Sequence, residues 1–259
     1  LYHYVNFFNF LNFFNCLVSS LLDYILPRSC HLCGETLKSG ERYVCMRCLA
    51  RLPRTGYHRI QDNPMAMRFM GIVPYERAVG FFFYTPDSEL AGVIHDLKYH
   101  YFRNLGRFMG EVMCRDLLMS GFLNGVDVLM PVPMHWWKQA VRGYNQAEQL
   151  CIGLGEDSGI AVSTALRAIK PHRTQTSLSH KERLDNTKGI FLLKHPEEFA
   201  DKHILLCDDV CTTGATLRSA AEAIVSACPT ARISLLSLAV TFSVSYTHLR
   251  AHETKANLV

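Results

Sequence analysis

The sequence has little excess charge, only two tryptophans and no uninterrupted apolar run of membrane length. Its formal net charge is +4 over 259 residues, with 49% hydrophobic and 19% charged residues. This composition is ordinary for a globular protein, and the length allows one or two domains with ample core. The positive charge is unevenly placed, because residues 27–60 contain seven basic and two acidic residues while the remainder is nearly neutral.

Residues 1–26 are rich in Phe, Leu and Tyr and are long enough to suggest a membrane helix. Four asparagines interrupt the stretch, and neither a basic cluster at its amino end nor a signal-peptide pattern accompanies it. We therefore expect no membrane span and interpret residues 17–26 as a short amphipathic helix that packs on the protein. At the other end, residues 243–259 resemble a translated sequencing-adapter stretch, which we interpret as non-native sequence and exclude from functional reasoning.

Ten cysteines are present, but six of them are scattered through apolar segments without a pairing rhythm. The other four form two CxxC pairs separated by eleven residues: Cys30, Cys33, Cys45 and Cys48. Each CxxC pair can present two thiolates to one tetrahedral Zn²⁺, so the spacing predicts a four-sulfur structural zinc site. The alternative is a pair of disulfides in an exported domain, but the scattered cysteines favour zinc and a reducing, cytoplasmic location. A weakly basic zinc module could touch nucleic acid over a modest surface.

The most informative segment is residues 204–216, which read Ile-Leu-Leu-Cys-Asp-Asp-Val-Cys-Thr-Thr-Gly-Ala-Thr. Residues 204–207 predict a buried parallel strand with Asp208 and Asp209 at its carboxyl end, where open α/β sheets bind ligands. A loop of small residues then opens a helix, whose free backbone N–H groups form an anion site. We expect these residues to cradle a phosphate: Thr212, Thr213, Gly214, Ala215 and Thr216. Carboxylates beside a phosphate cradle suit a ribose 5-phosphate, although an ordinary strand ending in a polar turn is the alternative.

A second strand–loop–helix junction follows residues 127–133, which predict another buried strand stopped by proline. The loop that begins with Pro133, Met134 and His135 leads to Arg142, which precedes the Gly-Tyr-Asn-Gln start of the next helix. We expect Arg142 and this loop to form a second anion site; the alternative is a simple capped turn.

Two further segments are candidates for reaching the same site. The polar, basic segment 173–183 predicts a mobile loop, which is as well explained by a solvated linker as by a lid. Lys98 lies on a predicted helix from which it could reach the site, although a surface position is the expected one for a lysine.

Strands and helices alternate along most of the chain. Expected strands cover residues 78–84, 127–133, 160–162, 191–194, 204–207 and 232–240, and expected helices include residues 143–155 and 215–226. This alternation predicts an α/β fold, with a three-layer domain around a mostly parallel sheet and a small four-Cys zinc module in front of it. The expected boundaries are a leader at 1–26, the zinc module at 27–60, a linker at 61–77, the α/β domain at 78–242 and the tail at 243–259.

The segment 204–216 resembles the phosphoribosyl-pyrophosphate (PRPP) motif of type I phosphoribosyltransferases. The whole set of motifs, over roughly residues 17–242, resembles the ComF family: the paired CxxC, Asp127-x3-Pro-Val-Pro, Arg142-Gly-Tyr-Asn-Gln-Ala147, Thr174-Gln-Thr-x-Leu178, Arg183-x2-Asn186 and the PRPP motif. These are bacterial phosphoribosyltransferase-like proteins associated with DNA uptake in natural competence. The resemblance implies a type I phosphoribosyltransferase-like domain, an amino-terminal zinc domain and a cytoplasmic location. It also implies PRPP binding and single-stranded DNA binding alongside competence proteins.

If the protein is an enzyme, residues 212–216 would hold the 5-phosphate, and Asp208 and Asp209 would take the ribose hydroxyls and help to position Mg²⁺. The loop 133–135 and Arg142 would receive pyrophosphate, and segment 173–178 would close as a lid. Three classes stay open: a transferase with an unidentified acceptor, a binding module that joins a phosphoribosyl ligand to DNA uptake, and a structural zinc scaffold. The scaffold is the weakest, because it would not need adjacent aspartates at a phosphate loop. We favour the ComF-type role with PRPP binding and leave turnover open.

Overall fold

The computed structural model describes residues 28–99, 102–169 and 189–241. It divides the chain into two compact units, with the division after Leu52. Within the described ranges, no helix has both the length and the apolar character needed to cross a membrane. The helix expected at 17–26, the loop expected at 173–183 and the tail at 243–259 lie outside these ranges.

The smaller unit, described from residue 28 onward, has little regular structure. It contains a β-bridge between Ser29 and Thr36 and a single-turn helix, α1 (Met46–Arg51). Cys45 caps this helix, because its Sγ accepts a hydrogen bond from the Cys48 N–H at 3.5 Å. The interior of the described part of this unit is small and consists of three cysteines and three apolar side chains: Cys30, Cys45, Cys48, Leu37, Val44 and Leu52.

The larger unit is built around a five-stranded parallel sheet. The strands are β1 (Ala78–Tyr84), β2 (Val128–Pro131), β3 (Ala161–Val162), β6 (His203–Cys211) and β7 (Arg232–Thr241), in the spatial order β1-β7-β6-β2-β3. A separate antiparallel pair is formed by β4 (Leu166–Ala168) and β5 (Phe191–Leu193). The helices are α2 (Glu89–Tyr99), α3 (Arg103–Met119), α4 (Trp136–Arg142), α5 (Gln146–Ser158) and α6 (Ala215–Ala227). The predicted α/β fold with a mostly parallel sheet is confirmed.

Helices cover both faces of this sheet, as the near-continuous apolar strands require. Side chains alternate along β6, so Ile204 and Leu206 share a hydrophobic cluster with α6 on one face. On the other face α5 approaches the sheet closely, since a Cβ at Gly155 would lie 3.5 Å from Leu129. This arrangement gives three layers and leaves the carboxyl ends of the strands as the open edge for a ligand.

Residues 61–77, which the sequence predicted to be a linker, pack within the larger unit. The side chain of Asn63 is 1% exposed and donates to the carbonyl of Ala78 at 2.8 Å, and its Oδ1 accepts from the N–H groups of Met65 and Ala66 at 3.0 and 3.1 Å. A 3₁₀ helix follows at Ala66–Arg68, and Phe69 is 1% exposed in the core cluster. The division after Leu52 places this segment, whose apolar side chains join the core cluster, within the larger unit.

Strand β6 is longer than the sequence predicted, since it continues through both aspartates to Cys211. Its backbone remains paired with β7 at Asp208–Ser237 and Val210–Ala239. The small-residue loop therefore starts directly from a paired strand, which fixes its first residue. Two further elements, β4 and α4, were not predicted from the sequence.

Candidate functional site

A cavity of about 340 Å³ lies at the carboxyl ends of β2 and β6. Eight of the predicted site residues line it: Pro133, Met134, His135, Arg142, Asp208, Asp209, Thr212 and Thr216. Thr213, Gly214 and Ala215 belong to the same loop but are not among the lining residues. Two segments that are far apart in sequence thus meet at one site, as the parallel topology requires.

The two aspartates are held by their own backbone. The N–H of Asp209 donates to Asp208 Oδ1 at 2.9 Å, and the N–H of Val210 donates to Asp209 Oδ1 at 2.7 Å. Burial, followed by the neighbouring charge of Asp209, raises the pKa of Asp208 well above its usual value. A cation or a hydroxyl donor bound at this pair would relieve both effects.

Lys98 reaches this pair, contrary to the surface position that the sequence favoured. Its Nζ lies 3.4 Å from Asp209 Oδ2, and the two side chains are 25% and 19% exposed. Lys98 also lines the cavity. The site therefore holds a positive group directly beside its carboxylates.

The position of Lys98 depends on the Arg-Gly-Tyr-Asn-Gln segment. The carbonyl of Leu97, the preceding residue, accepts hydrogen bonds from the Tyr144 hydroxyl at 2.5 Å and from Gln146 Nε2 at 3.0 Å. Tyr144 and Gln146 are 3% and 1% exposed, so these bonds are shielded from water. The segment thus fixes the carboxyl end of α2, which nothing in the sequence pattern had indicated.

The same segment also fixes the loop after β2. Asn145 caps α5 by accepting from the Ala147 N–H at 3.1 Å, and its Nδ2 donates to the carbonyl of Val132 at 3.0 Å. Arg142 extends toward the cavity, where its guanidinium lies 5.9 Å from the Tyr99 ring centroid. Next in the loop, His135 caps α4, since its Nδ1 accepts from the Trp137 N–H at 3.4 Å.

The loop after β6 requires glycine at one position for two reasons. Gly214 has φ +84°, and a Cβ there would lie 2.9 Å from Cζ of Phe69. Thr213 Oγ1 accepts from the N–H of Ala215, the first residue of α6, at 3.4 Å. The loop therefore packs on Phe69 with Thr212 and Thr216 turned to the cavity.

Arg68 is a site residue that the sequence analysis missed. Its guanidinium donates to the carbonyls of Thr212 and Thr241, and to the carbonyl of Cys211 at 3.3 Å. One side chain thereby connects the end of β6 and the first residue of the loop to the end of β7. The only available signal was an arginine beside buried apolar residues, within a segment that contained Pro and Gly and was therefore interpreted as a linker.

The four predicted zinc ligands converge in the smaller unit. The Sγ atoms of Cys30, Cys33, Cys45 and Cys48 all lie within 4.8 Å of one another. Cys33 Sγ and Cys45 Sγ are 3.8 Å apart, which is the spacing of roughly 3.8 Å that Zn–S bonds of about 2.3 Å give in a tetrahedron.

The surroundings of Cys30 also suit a thiolate ligand. Burial opposes its ionisation, but the N–H groups of Cys45, Cys33 and Leu32 lower the pKa of Cys30 to about 7. The cluster could therefore hold a metal such as zinc, and its all-sulfur donor set fits a closed structural site.

Comparison with known proteins indicates the class of protein that has this fold and cavity. Residues 140–248 match the phosphoribosyl transferase domain family. The parallel sheet, the cavity at its carboxyl edge and this match define a phosphoribosyltransferase-like domain.

Three similar proteins cover different shares of the chain. DNA utilization protein YhgH of Salmonella typhimurium is 26% identical over 209 residues, which is 76% of this chain and 90% of that protein. Its counterpart in Escherichia coli K12 is 27% identical over 202 residues, or 74% and 82%. Competence protein F of Haemophilus influenzae is 35% identical over 117 residues, or 44% and 51%. These matches confirm the resemblance predicted from the motifs and support a ComF-type phosphoribosyltransferase-like protein.

Proposed function

We propose that the chain binds PRPP together with Mg²⁺ in the 340 Å³ cavity, and that it takes part in DNA uptake and natural transformation through contact with single-stranded DNA. One observation carries the ligand: adjacent carboxylates, a small-residue loop at a helix start and an arginine-bearing loop all line a single cavity. Each of these groups matches one part of PRPP, which carries a 5-phosphate, a ribose diol and a pyrophosphate.

We assign protein groups to the 5-phosphate and to the ribose diol by their hydrogen-bonding type. Residues 212–216 supply threonine hydroxyls and the N–H groups of a helix start, which suit the 5-phosphate. Asp208 and Asp209 supply carboxylate acceptors, which suit the ribose hydroxyls and the hydrated shell of Mg²⁺. Arg68 acts as a positioning residue, because it binds the backbone carbonyls of Cys211 and Thr212, where the loop begins.

The pyrophosphate end is assigned to the opposite wall. Residues 133–135 and Arg142 lie there, and Lys98 stands at the carboxylate pair. When a pyrophosphate enters, Lys98 can exchange its 3.4 Å contact with Asp209 for a phosphate oxygen. Lys138 lines the cavity as well, so three cationic side chains are available to a group of high negative charge.

The DNA part of the proposal draws on the relatives and on charge. Two of the similar proteins are named for DNA utilization and one for competence. Residues 27–60 carry seven basic residues against two acidic ones, which is a weakly basic surface even after a Zn²⁺ with four thiolates is counted. We propose a cytoplasmic location and competence proteins as further partners.

Calorimetric titration of PRPP with Mg²⁺ tests the ligand. We expect binding by the wild type and at least a tenfold weaker affinity for Asp208→Asn and Asp209→Asn, because each removes a carboxyl group that can bind Mg²⁺ as a carboxylate. Glu111→Gln, a carboxylate of α3 that does not line the cavity, is the matched control. Equal affinities in all proteins would refute the assignment of the site.

An active phosphoribosyltransferase of nucleotide metabolism is the second candidate. A strip of apolar groups from Ala168, Ile190 and Phe191 lines the cavity beside Val210, and such a strip suits a planar acceptor. In that reaction a nitrogen of the acceptor bonds to C1 of the ribose as the bond to pyrophosphate breaks, through an oxocarbenium-like transition state.

Pyrophosphate release with a panel of bases and amines separates the two candidates. Release that depends on one acceptor and is lost in Asp209→Asn would establish the transferase. Tight PRPP binding without release for any acceptor would favour the binding role. The DNA contact is tested separately, by the salt dependence of single-strand affinity in variants that remove basic residues of 27–60.

A further inference from the structure

The two tryptophans of the chain are adjacent and unusually exposed. Trp136 and Trp137 begin α4 and are 66% and 62% exposed. Their rings are nearly perpendicular, at 87° with centroids 5.8 Å apart, so each presents a separate face to solvent. Indole is the side chain that gains most from burial, and the fold nevertheless leaves both rings uncovered.

All charged side chains of α4, the helix that carries the two tryptophans, are positive. Lys138 follows Trp137 directly, Arg142 ends the helix, and α4 has no acidic residue. We call Trp136, Trp137 and Lys138 the aromatic platform. A surface that combines exposed ring faces with cations is complementary to stacked bases joined by phosphates.

A second cavity begins under Trp136. It has a volume of about 240 Å³ and shares Pro133 and Met134 with the larger cavity. Gln139, Glu148 and Arg167 also line it, and these side chains can donate to and accept from the edge of a base.

Other occupants fit the platform less well. A membrane-surface helix needs a long apolar face, whereas α4 has seven residues and a length of only about 10 Å. A stable protein interface buries roughly 800 Å² on each partner, more than two indoles of about 150–250 Å² can provide. Base stacking needs only the ring faces.

We propose that the aromatic platform binds single-stranded DNA, with bases stacked on Trp136 and Trp137 and the phosphate backbone paired with Lys138. The inference rests on the proposed function for its DNA partner, but it adds a contact site on the larger unit beside the phosphoribosyl cavity. The loop 133–135 joins the two sites, since His135 both lines the cavity and caps α4.

The two indoles also supply the probe, because no other tryptophan is present. A short single-stranded oligodeoxynucleotide is titrated into the full chain while intrinsic tryptophan fluorescence and the anisotropy of a label on the DNA are both followed. We expect quenching to saturate together with binding. An abasic strand with the same phosphates should bind more weakly and leave the emission unquenched.

Trp136→Ala and Trp137→Ala should each weaken single-strand affinity by roughly five- to a hundredfold, the range for loss of one stacked base. Trp→Phe variants should retain part of the affinity. Met119→Ala, which removes a 78% exposed apolar side chain from α3, is the matched control and should have no effect. PRPP titration of each variant shows that the cavity is intact.

The outcomes separate the platform from the proposed function. Single-strand binding with unchanged affinity in both Ala variants would leave the DNA role standing and overturn the platform. Absence of any single-strand binding by the wild type would overturn both. Quenching by free purines or pyrimidines but not by a strand would identify an acceptor pocket and would also overturn the platform.

Discussion

Replacement of Arg68 by methionine is the sharpest test of how the phosphate loop is built. Arg68 donates to three backbone carbonyls, those of Cys211, Thr212 and Thr241. A net contribution of about 0.7–1 kcal/mol for each partly exposed bond gives a loss of roughly 2–3 kcal/mol in the free energy of unfolding. Methionine keeps most of the apolar stem of the side chain, so the change removes the hydrogen bonds and the charge with little loss of packing.

The loss of these hydrogen bonds also sets an upper limit on how much Arg68→Met can weaken PRPP binding. If the loop became fully mobile, the ligand would have to order it again at a cost of up to the same 2–3 kcal/mol. We expect about a tenfold rise in Kd, because two other contacts hold the loop. Thr241 Oγ1 donates to the Thr212 carbonyl at 3.3 Å, and Gly214 packs on Phe69.

Urea denaturation and calorimetric titration with PRPP and Mg²⁺ measure the two quantities. Arg68→Lys keeps the charge but cannot span three carbonyls, so it should behave nearly as the methionine variant does. Arg59→Met changes an exposed arginine of the same unit and should behave as wild type. Unchanged affinity with reduced stability would show that Arg68 is only structural, and no change in either quantity would refute the reasoning.

Three further predictions concern the metal, pH and packing. The wild type should contain about one zinc atom per chain, measured by elemental mass spectrometry, and Cys45→Ser should contain less. Cys228→Ser, which changes a cysteine outside the cluster, should keep the zinc content of the wild type. The pKa of Asp208 is raised, so the folded state holds a proton that the unfolded state has released, and the free energy of unfolding falls as pH rises above the ordinary aspartate value of 3.8. Asp208→Asn should reduce this pH dependence, measured by urea denaturation at several pH values. An unchanged slope would contradict the raised pKa. Gly153→Ala should lower the free energy of unfolding by about 1–3 kcal/mol, because the alanine Cβ would collide with the Arg107 backbone in α3. This loss is expected although alanine has the better helix propensity. A gain in stability would show that the two helices can move apart without cost.

The parts of the fold that the sequence revealed are those with a strong local pattern. The buried run at 204–207 and the glycine at 214 predicted a strand, a loop and a helix, and all three are present. The strand nevertheless continues through Asp208 and Asp209, because pairing with β7 outweighs the low strand propensity of aspartate.

The parts that were missed depend on contacts distant in sequence. Arg68 meets residues 143 or more positions away, so no local pattern could reveal it. Lys98 reaches Asp209 only because Tyr144 and Gln146 hold the carbonyl of Leu97. The linker expected at 61–77 did carry a signal, since Met65, Phe69 and Val73 recur at a spacing of four residues and are all buried.

The pairing of β1 with β7 constrains how the larger unit is made during translation. Ala78 pairs with Leu235, so about 160 further residues must be synthesised before β1 can pair with β7. At synthesis rates of about 5–20 residues per second, β1 remains without that partner for roughly ten to thirty seconds on the ribosome. Its sequence, Ala-Val-Gly-Phe-Phe-Phe-Tyr, is strongly apolar, so we expect the nascent chain to need chaperones that shield this segment until β7 is made.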